Sequence, residues 1–157
     1  MALPFPFPKL PALPIIPEFR LPAALTRIGG QLPQWPLGAQ LSLMLNLACR
    51  LKLLAGDDLA ALEGKHFRIT AEDLGGTADF EFRENRFRPL RFPSAAPDLT
   101  FSATVSAYLQ LLTRQEDPDT LFFNRRLDIQ GDTELGLRIK NMLDAVDGAS
   151  LRSALHL

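Results

Sequence analysis

The segment Gln115–Asp147, QEDPDTLFFNRRLDIQGDTELGLRIKNMLDAVD, constrains the fold more than any other part of the chain. Asp117-Pro118 reads as an N-cap followed by proline at the first helical position, where its missing N–H costs nothing. A short helix through Phe123 follows. Leu127 and Ile129 then alternate with Asp128 and Gln130, the period of a half-buried strand. Gly131 ends that strand, and Asp132 caps a longer helix. Leu135, Ile139, Met142, Leu143 and Val146 form one apolar stripe along it.

Upstream, the apolar pattern changes period. Pro22-Ala23 opens a short helix that closes near Gly29-Gly30, and Trp35-Pro36 leads into Leu37–Leu54, the most apolar span. Leu41, Met44, Leu45, Leu47, Ala48, Leu51 and Leu54 wrap more than half of that helix. Asn46, Arg50 and Lys52 interrupt it, and a membrane-spanning helix needs about 20 largely uncharged apolar residues. It reads as a core helix or as an interfacial one. Gly56 provides a stop, and Asp57-Asp58 cap a following turn.

Beyond Gly56 the residues alternate. Phe67 and Ile69 oppose His66, Arg68 and Thr70; Ala78, Phe80 and Phe82 oppose Asp79, Glu81 and Arg83. Glu84-Asn85 fits a two-residue hairpin turn, since asparagine tolerates positive φ. Phe87 begins a third strand, which Pro89 restricts to an edge or a bulge. Leu99, Phe101 and Ala103 form a fourth, and Val105, Tyr108, Leu109 and Leu112 return to helical spacing. With Arg126–Gln130 this makes five strands, four of them in one block, and predicts an α+β fold with helices laid over a sheet.

The chain's 157 residues suit one domain, divided into a proline-rich arm (1–21), apolar helices (22–56) and a main body (57–157). Net charge is −1, which gives no argument for nucleic acid. Up to Gly56 the only acid is Glu18, against Lys9, Arg20, Arg27, Arg50 and Lys52. Near an anionic lipid surface each base contributes about 1 kcal/mol; an ordinary solvated surface explains them equally. Prolines at 4, 6, 8, 11, 14 and 17 rule out the uninterrupted apolar run of a secretory signal. They predict an extended arm offering Leu3, Phe5, Phe7, Leu10, Ile15 and Ile16 to a groove or membrane, or a disordered leader. Cys49 is the only cysteine, so no intrachain disulfide forms, in keeping with a cytoplasmic setting.

Catalytic chemistry finds little support. His66 falls in a strand and is read as exposed, and His156 stands next to the end. Cys49 reads as a small hydrophobe on an apolar helix. Gly75-Gly76 is a turn between strands, and no phosphate-binding glycine motif occurs. No metal-ligand spacing or cofactor motif is present. Glu116, Asp117 and Asp119 are explained by a helix N-terminus.

The opening segment resembles the signature of a bacterial, ubiquinone-biosynthesis branch of the sterol carrier protein type-two superfamily. The likeness rests on Asp117-Pro118-Asp119-Thr120-Leu121-Phe122-Phe123, then Arg125-Arg126-Leu127. It continues with Ile129, Gly131-Asp132-Thr133-Glu134-Leu135-Gly136-Leu137, Lys140-Asn141 and Asp144-Ala145. It extends from about Leu62 to Asp147. It implies a five-stranded sheet covered by helices that enclose an apolar lipid cavity, with an N-terminal helical extension. It implies a non-catalytic factor holding isoprenoid quinone precursors or phospholipid for oxygen-independent ubiquinone synthesis. Hydroxylase proteins resembling UbiU and UbiV, and a membrane surface, are its implied partners, with peripheral attachment to the inner membrane as an option.

On that resemblance Phe80, Phe82, Phe101, Leu121, Phe122, Phe123, Leu135, Ile139 and Met142 are candidates to line the cavity. From their pattern alone the phenylalanines would fill an ordinary core. Arg125, Arg126, Arg50 and Lys52 are candidates for headgroup or membrane contact, with forked hydrogen bonds from arginine to phosphate or carboxylate as the chemistry. Strand alternation lets only one of Arg125 and Arg126 face inward; as surface charges beside Asp128 they need no ligand. The cluster Arg83, Arg86, Arg88 and Arg91 reads as a solvated rim. Two functions compete with the carrier: a protein-interaction scaffold with a solid core, and an acyltransferase or thioesterase using Cys49 or His66.

Overall fold

In a computed structural model that describes residues 15–54, 56–93, 95–113 and 115–145, alternating segments become the strands of one mixed sheet. The strands are His66–Ala71 (β1), Gly76–Arg83 (β2), Arg86–Pro89 (β3), Leu99–Ala103 (β4) and Leu127–Gly131 (β5), in the order β3-β2-β1-β4-β5. Neighbours are antiparallel except β1 and β4, which run parallel. The helices are Ala23–Gln31 (α1), Trp35–Arg50 (α2), Gly56–Ala60 (α3), Val105–Leu112 (α4), Pro118–Phe123 (α5) and Thr133–Ala145 (α6). Leu3, Phe5, Phe7, Leu10, Val146, Asp147 and His156 lie outside the described residues.

Local chemistry accounts for the ends of these elements. Glu84 and Asn85 both take positive φ (52° and 61°), as a two-residue hairpin with the sheet's twist requires. The Thr104, Asp117 and Asp132 side chains accept from Ala107, Thr120 and Leu135 N–H and cap α4, α5 and α6. The sequence predicts that the apolar helix reaches Leu54; α2 instead ends at Arg50. Lys52 takes φ of 56°, its N–H bonds Cys49 O, and Leu53 N–H bonds Ala48 O, the paired bonds of a Schellman ending. Gly56 therefore opens α3 instead of stopping α2.

β3 forms one border of the sheet, the edge position that Pro89 demands. Along it α2 supplies what a further strand would. Asn46 Nδ2 donates to Phe87 O and Asn46 Oδ1 accepts from Phe87 N–H, both at 2.8 Å. Leu41, Leu45 and Cys49, four residues apart on one side of α2, pack against the core. Leu43 (72% exposed), Met44 and Leu47 point away from it. The helix is thus core on one side and exposed apolar surface on the other.

Candidate functional site

One face of the sheet carries nearly all the apolar side chains, and its cross-strand rows are covered unequally. Phe67 pairs with Phe80 and Leu99, and all three are buried. Four residues along, Ala71, Ala103 and Leu127 form another row, closed by Ala107 and Leu121. Between them lies the row Ile69–Phe101–Ile129, in register across β1, β4 and β5 and only half-buried. Phe101 and Ile129 touch the clusters on both sides. These three side chains, in a row across three strands, are less covered than the apolar rows beside them.

α6 overlies the β4–β5 end of this face. Gly136 allows the close approach: a Cβ there would stand 3.2 Å from Ile129 Cγ2 and 3.4 Å from Leu99 Cδ1. Leu135 and Met142 are buried in the first cluster, and Ile139 packs against it half-buried. Lys140 Nζ bonds Asp119 at 2.9 Å, and Arg138 lies 3.8 Å from Asp58, so ion pairs tie α6 to α5 and α3. α6 is a lid on the sheet held by few apolar side chains.

The candidate lining residues separate into four groups. Phe80, Phe82, Leu135 and Met142 belong to the first cluster, where Phe80 stands 5.9 Å and Phe82 4.8 Å from Phe87, ring to ring. Leu121 is buried in the second cluster, while Phe101 and Ile139 are half-buried. Phe122 and Phe123 are exposed (47% and 78%), with their rings 6.0 Å apart edge to face. α5 spans six residues, and consecutive positions of so short a helix cannot both turn inward.

The basic candidates divide as well. Arg50 and Lys52 are exposed at the end of α2, beyond the outward Leu43, Met44 and Leu47. Arg125 is exposed with φ of 57°, and Arg126 N–H to Leu121 O completes a second Schellman ending on α5. Arg126 turns inward, donating to Gln110 Oε1 at 2.5 Å and lying 3.4 Å from Glu18. Of the rim arginines, Arg88 pairs with Glu84, and Arg91 lies over the rings of Trp35 and Phe92.

A polar clamp went unforeseen. Residues 15–20 follow no regular element, and four side chains fasten this extended segment and Leu21 to the body. Gln110 Nε2 donates to Ile16 O, Gln115 Oε1 accepts from Ile16 N–H, and Ser106 Oγ donates to Phe19 O. Asp73 accepts from Leu21 N–H with one oxygen and from Val105 N–H with the other. Ser106, Gln110 and Asp73 are buried, so these bonds satisfy groups that water does not reach. Ser106 and Gln110, four residues apart in α4, were the available signal. The backbone of the arm's described part is thus bound to its own chain, while the Ile15 side chain stays exposed.

His66 is likewise not the exposed strand residue its alternation predicts. Its ring lies 2.8 Å from Asp79 Oδ1, which also accepts from Arg68 Nε at 2.9 Å. Tyr108 O–H reaches Thr70 O and Phe101 O at 3.0 and 3.1 Å; burial, then the charge of Glu72, raises its pKa well above the ordinary phenol range. Burial also raises the Cys49 thiol, which disfavours the thiolate a nucleophile needs. Among the described residues no group of three or more His, Cys, Asp or Glu could hold a metal ion, and no helix is long and apolar enough to cross a membrane.

Comparison with known proteins places this geometry in context. A family model described as the SCP-2 sterol transfer family matches residues 45–144. Over 64 residues the chain is 50% identical to the ubiquinone biosynthesis accessory factor UbiT of Escherichia coli (strain K12), 41% of this chain and 37% of that protein. The match to UbiT of Escherichia coli O157:H7 has the same identity and extent. The aligned part thus spans little more than a third of these relatives. Among solved structures, a chain titled UbiJ-SCP2 ubiquinone synthesis protein superposes with a TM-score of 0.54 at 18% identity, covering 71% of this chain and 96% of that one. The likeness to that structure is one of fold.

Proposed function

Because the chain belongs to the SCP-2 sterol transfer family, we propose that it holds lipid without altering it, as an accessory factor of ubiquinone biosynthesis. The observation that carries this reading is the half-buried row Ile69–Phe101–Ile129, an apolar floor between two packed clusters with α6 as its cover. A prenyl chain laid along that row displaces Ile139 and Met142 outward and so opens a trough that deepens into a cavity. Each methylene buried there contributes roughly 0.8 kcal/mol, so part of a long isoprenoid suffices for tight binding. Isoprenoid quinone precursors are the occupants favoured, with phospholipid as the alternative.

The similarity to UbiT supports the pathway. Oxygen-independent synthesis, service to hydroxylases resembling UbiU and UbiV, and a cytoplasmic location at the inner membrane extend the same reading. Leu43, Met44 and Leu47, with Arg50 and Lys52 at the helix end, form the surface that meets the bilayer. That surface also favours the second reading, a scaffold docked to a partner subunit without cargo.

Lipid extraction from protein purified out of its native cells, followed by mass spectrometry, tests the proposal. Prenylated phenols or quinones are expected with the unaltered chain and not with Phe101→Trp, which fills the trough. Recovery of no lipid from the unaltered chain sinks the carrier reading and leaves the scaffold.

A further inference from the structure

The opposite face of the sheet holds a groove of about 490 Å³ that the carrier reading does not use. Trp35, Thr77, Asp79, Leu90, Arg91 and Phe92 are among the residues lining it. Thr77 and Asp79 are among its polar groups, and Trp35 and Phe92 are its aromatic ones. Asp79 is only 9% exposed, and its Oδ1 takes both the His66 ring and Arg68 Nε. Asp79 lines the groove, and its Oδ2 bonds none of the described residues. At the rim, Trp35 and Phe92 are 44% and 84% exposed, and the Arg91 guanidinium lies 5.2 and 5.6 Å from their ring centres.

The geometry points to a binding site for an oxygenated aromatic ring: a phenol, catechol or hydroquinone. Three features select that class. A nearly buried carboxylate with one oxygen to spare can accept from a ligand, and a neutral hydroxyl suits it better than a cation, since Arg68 already balances the charge of Asp79. Exposed indole and phenyl rings supply flat faces on which another ring stacks. The guanidinium stacks and also donates, so it takes up a second ring oxygen. A saturated alcohol satisfies Asp79 but neither ring. The proposal rests on the carrier reading for its natural occupant, the headgroup of the lipid, whose tail would lie elsewhere.

Trp35 is the only tryptophan, so the intrinsic fluorescence of the full chain reports on this groove. Titration with catechol and phenol, and with cyclohexanol as the saturated control, is the test. Saturable quenching by the two aromatics and none by cyclohexanol is expected. Arg91→Gln and Phe92→Ala, both at exposed positions, are expected to raise the apparent Kd at least tenfold, and Asp79→Asn to do the same. Should Asp79→Asn fail to fold, the two exposed variants decide. Equal quenching by cyclohexanol, or unchanged affinity in Arg91→Gln and Phe92→Ala, overturns the proposal. If lipid is recovered with the protein but aromatics leave Trp35 unaffected, the groove site falls and the carrier stands. Aromatic binding without recovered lipid supports the groove and removes the carrier.

Discussion

Lys52 and Arg125 occupy the same place in two different helix endings. Each stands one residue past its helix's C-cap with φ of 56° or 57°, and each follows an exposed apolar pair or triad, Leu43, Met44 and Leu47 in one case, Phe122 and Phe123 in the other. Glycine is the usual occupant of such a position, and a side chain there costs roughly 1–2 kcal/mol. Lys52→Gly and Arg125→Gly are each expected to raise unfolding stability by about 1 kcal/mol and to weaken binding to anionic vesicles. Urea denaturation beside vesicle co-sedimentation separates the two effects. Lower stability in both variants refutes the strain argument.

Gln110 holds the extended segment from one end of its amide and Arg126 from the other. Gln110→Ala leaves Ile16 O and part of the Arg126 guanidinium without a partner, at a cost of about 1–3 kcal/mol. Amide exchange at Ile16 is expected to accelerate while β1 amides keep their protection. Uniform acceleration throughout would mean global destabilisation and no local latch.

Ser42 lies on α2 with its Oγ buried and unpartnered. Alanine removes a desolvated hydroxyl and little volume, so Ser42→Ala is expected to gain about 1 kcal/mol, or roughly 2–4 °C in Tm. A fall in Tm on scanning calorimetry would show that the hydroxyl has a partner in solution.

Hydrogen bonds from the Thr120 N–H and hydroxyl hold the Asp117 carboxyl below its usual value of 3.8. A depressed folded pKa gives a stabilising contribution that is complete above the unfolded value and lost as pH falls through the folded one. Asp117→Asn retains a capping oxygen but cannot titrate. Its stability relative to the unaltered chain is therefore expected to improve as pH drops below about 4, read by denaturant unfolding at pH 3 and pH 6. An unchanged difference between those pH values would show that the carboxylate contributes nothing through its charge.

The sheet was legible because alternation is local: Phe67, Phe80, Leu99 and Ile129 declare their face within a few residues, and Pro89 declares an edge. Caps at Asp117 and Asp132 were readable for the same reason. The clamp was not, since residues 15–20 have no period and their partners lie 87 to 99 positions away at Ser106, Gln110 and Gln115. His66 misled because the solvent side of a strand is inferred from one sequence, whereas Asp79 arrives from the neighbouring strand. Phe122 and Phe123 resemble core residues by type, and only the shortness of α5 reveals that they turn outward.

Asn46 occupies the outward backbone groups of Phe87, and Pro89 has no N–H to offer, so the β3 border of the sheet is closed to recruitment. Among the described residues, β5 is the border left for a second chain to join by strand addition. Two copies paired there would use up that border in each other.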